Sequence, residues 1–271
     1  MPKLPKLPAP PLPGPLQEPP PRPGEQNGNG ADPLEAAKQA GITVVDWVDE
    51  RTSLSGAARW LMFRKVPKGT NWFYTLGSAT MFAFLSQAVT GVFLAMYYRP
   101  DPAGGAYESI RFVTNQVFLG EFVRGMHKWG SSVMVVLVFL HMARTFFFGA
   151  YKYPRELNWV IGVVLLILTM VMSFTGYLLP FDQRAYWATI VGVNINGTGP
   201  LIGPYLSDFL RGGSEFGATT LSRFYAIHML LVPGLIIALI GAHLYLVTKL
   251  GTTAPPWQKA KAPAELREAE V

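Results

Sequence analysis

The histidines of this 271-residue chain number four, and they fall into two pairs of nearly equal spacing. His127 and His141 are 14 residues apart; His228 and His243 are 15 apart. Imidazole nitrogen ligates transition metals and carries protons near neutral pH. In a helix rising about 1.5 Å per residue, each gap spans ~21–22 Å. At about 100° per residue, the second side chain of each pair returns to within about 40° or 60° of the first. Each pair therefore offers one imidazole near each end of a helix, on one side of it.

The elements that must hold these pairs are membrane helices. Half of the residues are apolar and only 15% are charged, too apolar a balance for an ordinary soluble domain. A spanning helix needs ~20 mostly apolar residues, and four segments qualify, roughly 72–98, 129–150, 158–180 and 225–248. The second of these helices enters from about Arg124, so all four histidines fall within predicted helices. The net charge of +6 is read as basic residues flanking membrane helices rather than a nucleic-acid surface, since no basic stripe with interleaved aromatics appears away from the helix ends. Lys and Arg favour the side shared by the N-terminal lead-in, the 151–156 loop and the C-terminal tail, which places both termini on the cytoplasmic (n-) side.

An ionisable group inside a bilayer is costly and marks function. The second and fourth helices run in the same direction because the third intervenes, so His127 lies level with His228 and His141 with His243. Two imidazoles facing each other at one depth meet the requirement of bis-histidine haem ligation. One zinc ion cannot serve both levels. The expected fold class is an all-α membrane protein, a four-transmembrane-helix bundle binding two b-type haems. Cysteine is absent, which excludes disulfides, thiolate metal sites, cysteine nucleophiles and thioether-linked haem.

Glycines repeat the same interval. Gly77 and Gly91 on the first helix, and Gly162 and Gly176 on the third, are each 14 apart. Small residues let a flat ring approach a backbone closely; ordinary small-residue helix packing is the alternative. Arg124 precedes His127 by three and Arg144 follows His141 by three. Both lie outward of their histidine, where they suit haem propionates or act as interfacial anchors.

Residues 1–45 form a Pro-rich tail expected to be disordered, and 46–70 an amphipathic interfacial lead-in. The di-haem transmembrane domain covers 71–250, and 251–271 is a polar tail. The connection of ~40 residues before the fourth helix is long enough to be functional and to contain short surface helices.

Several motifs carry a resemblance over about 45–251. They are Trp47-Val48-Asp49-Glu50-Arg51, Tyr97-Tyr98-Arg99-Pro100, His127-Lys128-Trp129 and Pro154-Arg155-Glu156-Leu157, followed by Gly176-Tyr177-Leu178-Leu179-Pro180-Phe181-Asp182-Gln183 and Thr220-Leu221-Ser222-Arg223-Phe224-Tyr225. In this order, and with these histidine spacings, the sequence resembles cytochrome b of bc-type complexes, most closely the split cytochrome b6 form.

The resemblance implies two non-covalent b-type haems, with His127 and His228 as ligands on the p-side and His141 and His243 on the n-side. It implies Arg124 and Arg144 at the propionates, Gly77, Gly91, Gly162 and Gly176 beside the haems, and a partial p-side quinol-oxidation pocket including Tyr177, Pro180 and Asp182. The function implied is the cytochrome b subunit of a quinol:cytochrome c (or plastocyanin-like acceptor) oxidoreductase. Electrons would pass from the p-side to the n-side haem, coupled to proton translocation. Asp182, Glu215, Tyr177 or the partner chain are the candidates for proton handling. Implied partners are a subunit IV-like C-terminal cytochrome b chain, a Rieske iron–sulfur protein and a c-type cytochrome, in a dimeric complex of an energy-transducing membrane such as a bacterial plasma membrane.

Three positions depart from the family pattern. Thr75 stands where the b6 type has the cysteine that attaches a third haem, so no covalent third haem is expected. The Pro-Glu-Trp-Tyr motif that completes the quinol site is absent from the sequence, and another chain must supply it. Phe181 replaces a usual tryptophan. Paired histidines alone also suit a di-haem membrane anchor of a dehydrogenase or hydrogenase, but that class needs neither the Gly176–Gln183 stretch nor the glycine ladder. A haem-free structural membrane subunit is the non-enzymatic alternative.

Overall fold

The structure, a computed structural model, describes residues 33–52 and 68–257 and is all-helical there. It divides into two units, residues 1–65 and residues 66–271. In the first, helix α1 (Pro33–Thr52) runs across residue 45, the border that composition suggested between tail and lead-in. Good helix formers around Glu35, Ala36, Ala37 and Lys38 extend it back into the tail, and Arg51 folds over the Trp47 ring at 4.1 Å. The rest of the tail (1–32), of the lead-in (53–67) and of the C-terminal tail (258–271) lies outside the described residues.

In the second unit, four helical stretches among the described residues are long and apolar enough to cross a membrane: Trp72–Ala95, Gly120–Phe147, Glu156–Leu178 and Ala218–Leu250. The first opens with a 3-10 turn, Trp72–Thr75, whose start is capped by Asn71 Oδ1 accepting from Phe73 N–H, and continues as α2 (Leu76–Ala95). A short helix α3 (Gly105–Gln116) precedes the second span, α4 (Gly120–Phe147). The third is α5 (Glu156–Leu178), with Glu156 in its first turn, where a carboxylate suits the helix dipole.

The long connection is ordered into α6 (Gln183–Gly197) and α7 (Gly203–Arg211). The fourth span begins earlier than the hydropathy suggested. It comprises α8 (Ala218–Ala226), one π-helical turn (Ile227–Leu231) and α9 (Val232–Leu250). Thr220 sets its start: its hydroxyl donates to the Arg211 carbonyl at 2.6 Å and accepts from Gly217 N–H at 3.2 Å. Gly251, at φ 75° and ψ 175°, stops it in a positive-φ conformation that glycine adopts readily.

Phe82, Val89, Val136, Val160, Ile167 and Ile237 project outward from the four spans and are exposed. A bilayer accepts such a surface where water does not. The tightest packing is where α5, α6 and α8 meet. Leu178, Val193, Leu221 and Phe224 are fully buried there. That knot anchors the end of α5 next to Gly176.

Candidate functional site

The four spans pack as two pairs, α2 with α4 and α5 with α9. Within each pair a glycine of one helix backs a histidine of the other. An added Cβ at Gly77 would stand 3.2 Å from His141 Cε1, and at Gly91 3.2 Å from His127 Cε1. At Gly176 it would stand 2.5 Å from His228 Cε1, and at Gly162 3.8 Å from His243 Cε1. The two glycine rulers thus meet the two histidine rulers, one ring per glycine.

Across the bundle the imidazoles meet level by level. The ring centroids of His127 and His228 are 6.4 Å apart with the planes at 78°, and those of His141 and His243 are 6.4 Å apart at 81°. A metal held between two opposed imidazoles requires about 6.2 Å between centroids. This follows from metal–nitrogen bonds of about 2.0 Å and about 1.1 Å from nitrogen to ring centre. Both levels match that requirement. Among the described residues no group of three His, Asp or Glu side chains converges as a metal cage, and each level offers two opposed imidazoles.

The unequal spacings are reconciled by the π turn. His228 sits within Ile227–Leu231, and a π turn absorbs one extra residue within a helix. The 15-residue interval to His243 therefore behaves as a 14-residue one, with the same rise of about 21 Å and the same residual rotation of about 40° as in α4.

At the His127/His228 level the rings are held through Nδ1. Thr90 Oγ1 lies 2.9 Å from His127 Nδ1, and Thr175 Oγ1 lies 3.2 Å from His228 Nδ1, which also has the Met172 carbonyl at 3.0 Å. Each threonine already donates its hydroxyl proton to its own helix, Thr90 to Ser86 O at 2.7 Å and Thr175 to Val171 O at 2.8 Å. Each hydroxyl oxygen is left as an acceptor, so Nδ1 carries the proton and Nε2 is free for a metal. A cavity of about 270 Å³ opens here, lined by Gly91, His127, Met134, Thr169, Met172 and His228 among others.

The other level differs. Asn158 Oδ1 is buried with no hydrogen-bond partner among the described residues, and the Asn158 backbone faces the His243 ring. Arg144, one turn beyond His141, lays its guanidinium on the Tyr74 ring at 3.8 Å and beside Phe148 at 5.1 Å. Its Nε and Nη2 are buried without an acceptor among the described residues. Two unpaired donors at this outward position call for an anion. Arg124, the counterpart at the first level, donates to Thr114 Oγ1 at 3.3 Å. A paired-imidazole, glycine-backed slot with a cationic outer edge fits a haem with its carboxylates outward.

The three residues expected at a quinol pocket follow directly on Gly176. Tyr177 is about half exposed. Pro180 sits in the turn that ends α5. Asp182 is the N-cap of α6 and accepts from Ala185 N–H at 2.8 Å, a structural task that its sequence position did not announce. Phe181 between them has φ 50°, a left-handed conformation costly for a bulky residue. Tyr98 holds this turn from across the bundle: its hydroxyl donates to Leu179 O at 2.6 Å and its ring stacks on Tyr225 at 5.3 Å. Sequence reasoning missed Thr90, Thr175, Tyr74 and Tyr98. The two threonines carried a signal, for each directly precedes a ruler glycine.

Comparison with known proteins follows the same lines. A family model described as Cytochrome b/b6/petB matches residues 61–251. The cytochrome b6 of Heliobacterium modesticaldum is 42% identical over 213 residues, covering 78% of this chain and 100% of that protein. The menaquinol:cytochrome c reductase cytochrome b subunit of Geobacillus thermodenitrificans is 43% identical over 218 residues, covering 78% and 97%. Among solved structures, a chain of a hyperthermophilic respiratory Complex III superposes with a TM-score of 0.72 at 30% identity. The match covers 83% of the present chain and spans 63% of that one.

Proposed function

The chain belongs to the cytochrome b/b6 family and is a bc-type cytochrome b, and from that premise we propose that it is the di-haem subunit of a quinol-oxidising complex. His127 and His228 would hold the p-side haem, and His141 and His243 the n-side haem. Gly91 and Gly176 give the first pair of rings its place, and Gly77 and Gly162 the second. Arg144 offers its buried Nε and Nη2 donors to propionates on the n-side, and Arg124 stands in the same relation on the p-side. Bound there, b-type haem supplies a one-electron carrier at each level, and the protein supplies position and electrostatics.

The observation that carries this reading is the pair of 6.4 Å imidazole separations at two depths of one bundle. The levels are about 21 Å apart along the helices, most of a ~30 Å hydrocarbon core. Charge moved over a full crossing is worth about 2.3 kcal/mol per 100 mV, so transfer from the p-side to the n-side stores energy. Tyr177, Pro180 and the Asp182-capped turn adjoin the His228 level and form this chain's share of a p-side quinol pocket. Asp182 holds the turn, and the exposed Tyr177 is free to meet the quinol.

The pocket is completed by a subunit IV-like chain, with a Rieske protein and a c-type cytochrome as electron acceptors in a dimeric complex. The reading places both termini on the cytoplasmic side of a bacterial plasma membrane. With Thr75 on the n-side, it includes no covalently attached third haem.

The test is a redox titration of the complex in membranes, read at the haem α-band with pyridine haemochrome quantification, with His141→Ala alongside. Two non-covalent b-type haems, one of them lost in the variant, is the expected result. One haem, or none, in the unaltered protein overturns the two-level reading.

A further inference from the structure

The two levels are built alike except at one register position. Thr90 precedes Gly91, and Thr175 precedes Gly176; 14 residues earlier on the same helices, Leu76 precedes Gly77, and Ile161 precedes Gly162. The threonines place hydroxyl oxygens 2.9 and 3.2 Å from the Nδ1 atoms of His127 and His228. Leucine and isoleucine have no such atom to offer at the other level.

The hydroxyls are strong acceptors. Each has given its own proton to a backbone carbonyl one turn back, at 2.7 and 2.8 Å, and chained hydrogen bonds polarise one another. A ligand imidazole whose distal N–H is held by an acceptor becomes more basic, and a more basic ligand favours ferric over ferrous iron. Second-shell hydrogen bonding is one of the levers by which a protein sets a haem potential.

We propose that Thr90 and Thr175 are positioning residues that fix the His127 and His228 rings as Nδ1–H donors and thereby hold the p-side haem at a lower potential than the n-side haem. Leu76 and Ile161 offer the n-side ligands no such hydroxyl. The inference rests on the two-haem reading above. It gives electron transfer from p-side to n-side a thermodynamic direction written into two Thr-Gly dipeptides.

The experiment is potentiometry of the membrane-embedded complex bearing Thr90→Val, Thr175→Val, Thr90→Ser or Thr175→Ser, with both haem components resolved and haem content measured. The valine variants are expected to raise the p-side midpoint alone. A tenfold change in the ferrous-to-ferric ratio corresponds to about 59 mV for one electron. The serine variants keep a hydroxyl and should restore the unaltered value. Unchanged midpoints in both valine variants, or shifts that serine leaves in place, overturn the proposal. If a valine variant fails to assemble, Ile161→Thr decides: a lowered n-side midpoint supports the proposal and an unmoved one overturns it. Loss of the two-haem spectrum in the unaltered complex is a separate result and sinks the reading beneath.

Discussion

Gly176 and His228 are in the closest contact of the four glycine–histidine pairs: a Cβ on Gly176 would stand 2.5 Å from Cε1, 3.1 Å from Nδ1 and 3.2 Å from Nε2 of the ring. The ring cannot retreat easily, because Nδ1 is tied to Thr175 and Met172 on α5. Gly176→Ala should therefore displace the imidazole, at an overpacking cost of about 1–3 kcal/mol, and strip haem from the His127/His228 level. Gly162→Ala meets His243 at an ordinary 3.8 Å and should keep both haems. Gly77→Ala and Gly91→Ala, at 3.2 Å, should fall between. Haem content of the four variants checks the order, and equal retention throughout would refute it.

The histidine levels were legible because spacing along a helix fixes depth and face, and four histidines at intervals of 14 and 15 admit little else. The glycine interval was legible for the same reason. What each glycine meets was not, since a face seen in sequence does not reveal which neighbour fills it; here the imidazole edge stands directly against the backbone. The π turn left no trace beyond the one-residue mismatch, because no residue type marks it. The extra reach of the fourth span, back to Ala218, was hidden by polar residues such as Arg223, whose guanidinium turns back onto the Phe209 carbonyl. Asp182 read as chemistry because carboxylates near a quinol site invite it, and its capping bond to Ala185 appears only once α6 is seen to begin there.

The π turn makes a prediction about length. Deleting Leu230, an exposed residue within it, leaves 14 residues between His228 and His243 and lets the span relax to a regular α-helix. Both haems should be retained. Deleting the similarly exposed Val136 from α4 removes a residue from a helix with none to spare. It rotates His141 against His127 by about 100°, and one haem should be lost. Pyridine haemochrome counts on the two deletions decide the matter; identical losses would mean that the turn has no compensating role.

Arg144 should behave oppositely in loaded and empty protein. Its Nε and Nη2 are buried without acceptors among the described residues, and the Tyr74 and Phe148 rings lie against its guanidinium. In haem-free protein, Arg144→Leu should be neutral or stabilising, since an uncompensated charge leaves the interior. In loaded protein it removes charge-assisted hydrogen bonds worth about 1.5–3 kcal/mol each, so haem at the His141/His243 level should bind at least about tenfold more weakly. Haem titration and thermal unfolding on both forms test the pair of signs. Arg144→Lys should recover part of the affinity but not the forked geometry.

Tyr98 ties the first span to the turn that carries Pro180, Phe181 and Asp182. Its hydroxyl donates to Leu179 O at 2.6 Å and its ring stacks on Tyr225. Burial, with Tyr225 adding to it, pushes the phenol well above its ordinary value. Tyr98→Phe keeps the stack and loses the bond, which should cost about 0.5–1.5 kcal/mol and slow quinol oxidation by loosening the turn. The pH dependence follows from the sign of the shift. The folded state holds the phenolic proton more tightly than the unfolded chain, so the contribution of Tyr98 is whole below about pH 10, the unperturbed value. It is lost as pH rises through the raised folded value. Unfolding of the detergent-solubilised complex should steepen above about pH 10 in the unaltered protein, and less so in Tyr98→Phe. Parallel alkaline limbs for the two proteins would show that the phenol is not held by this contact, and the tie between Tyr98 and the quinol turn would have to be abandoned.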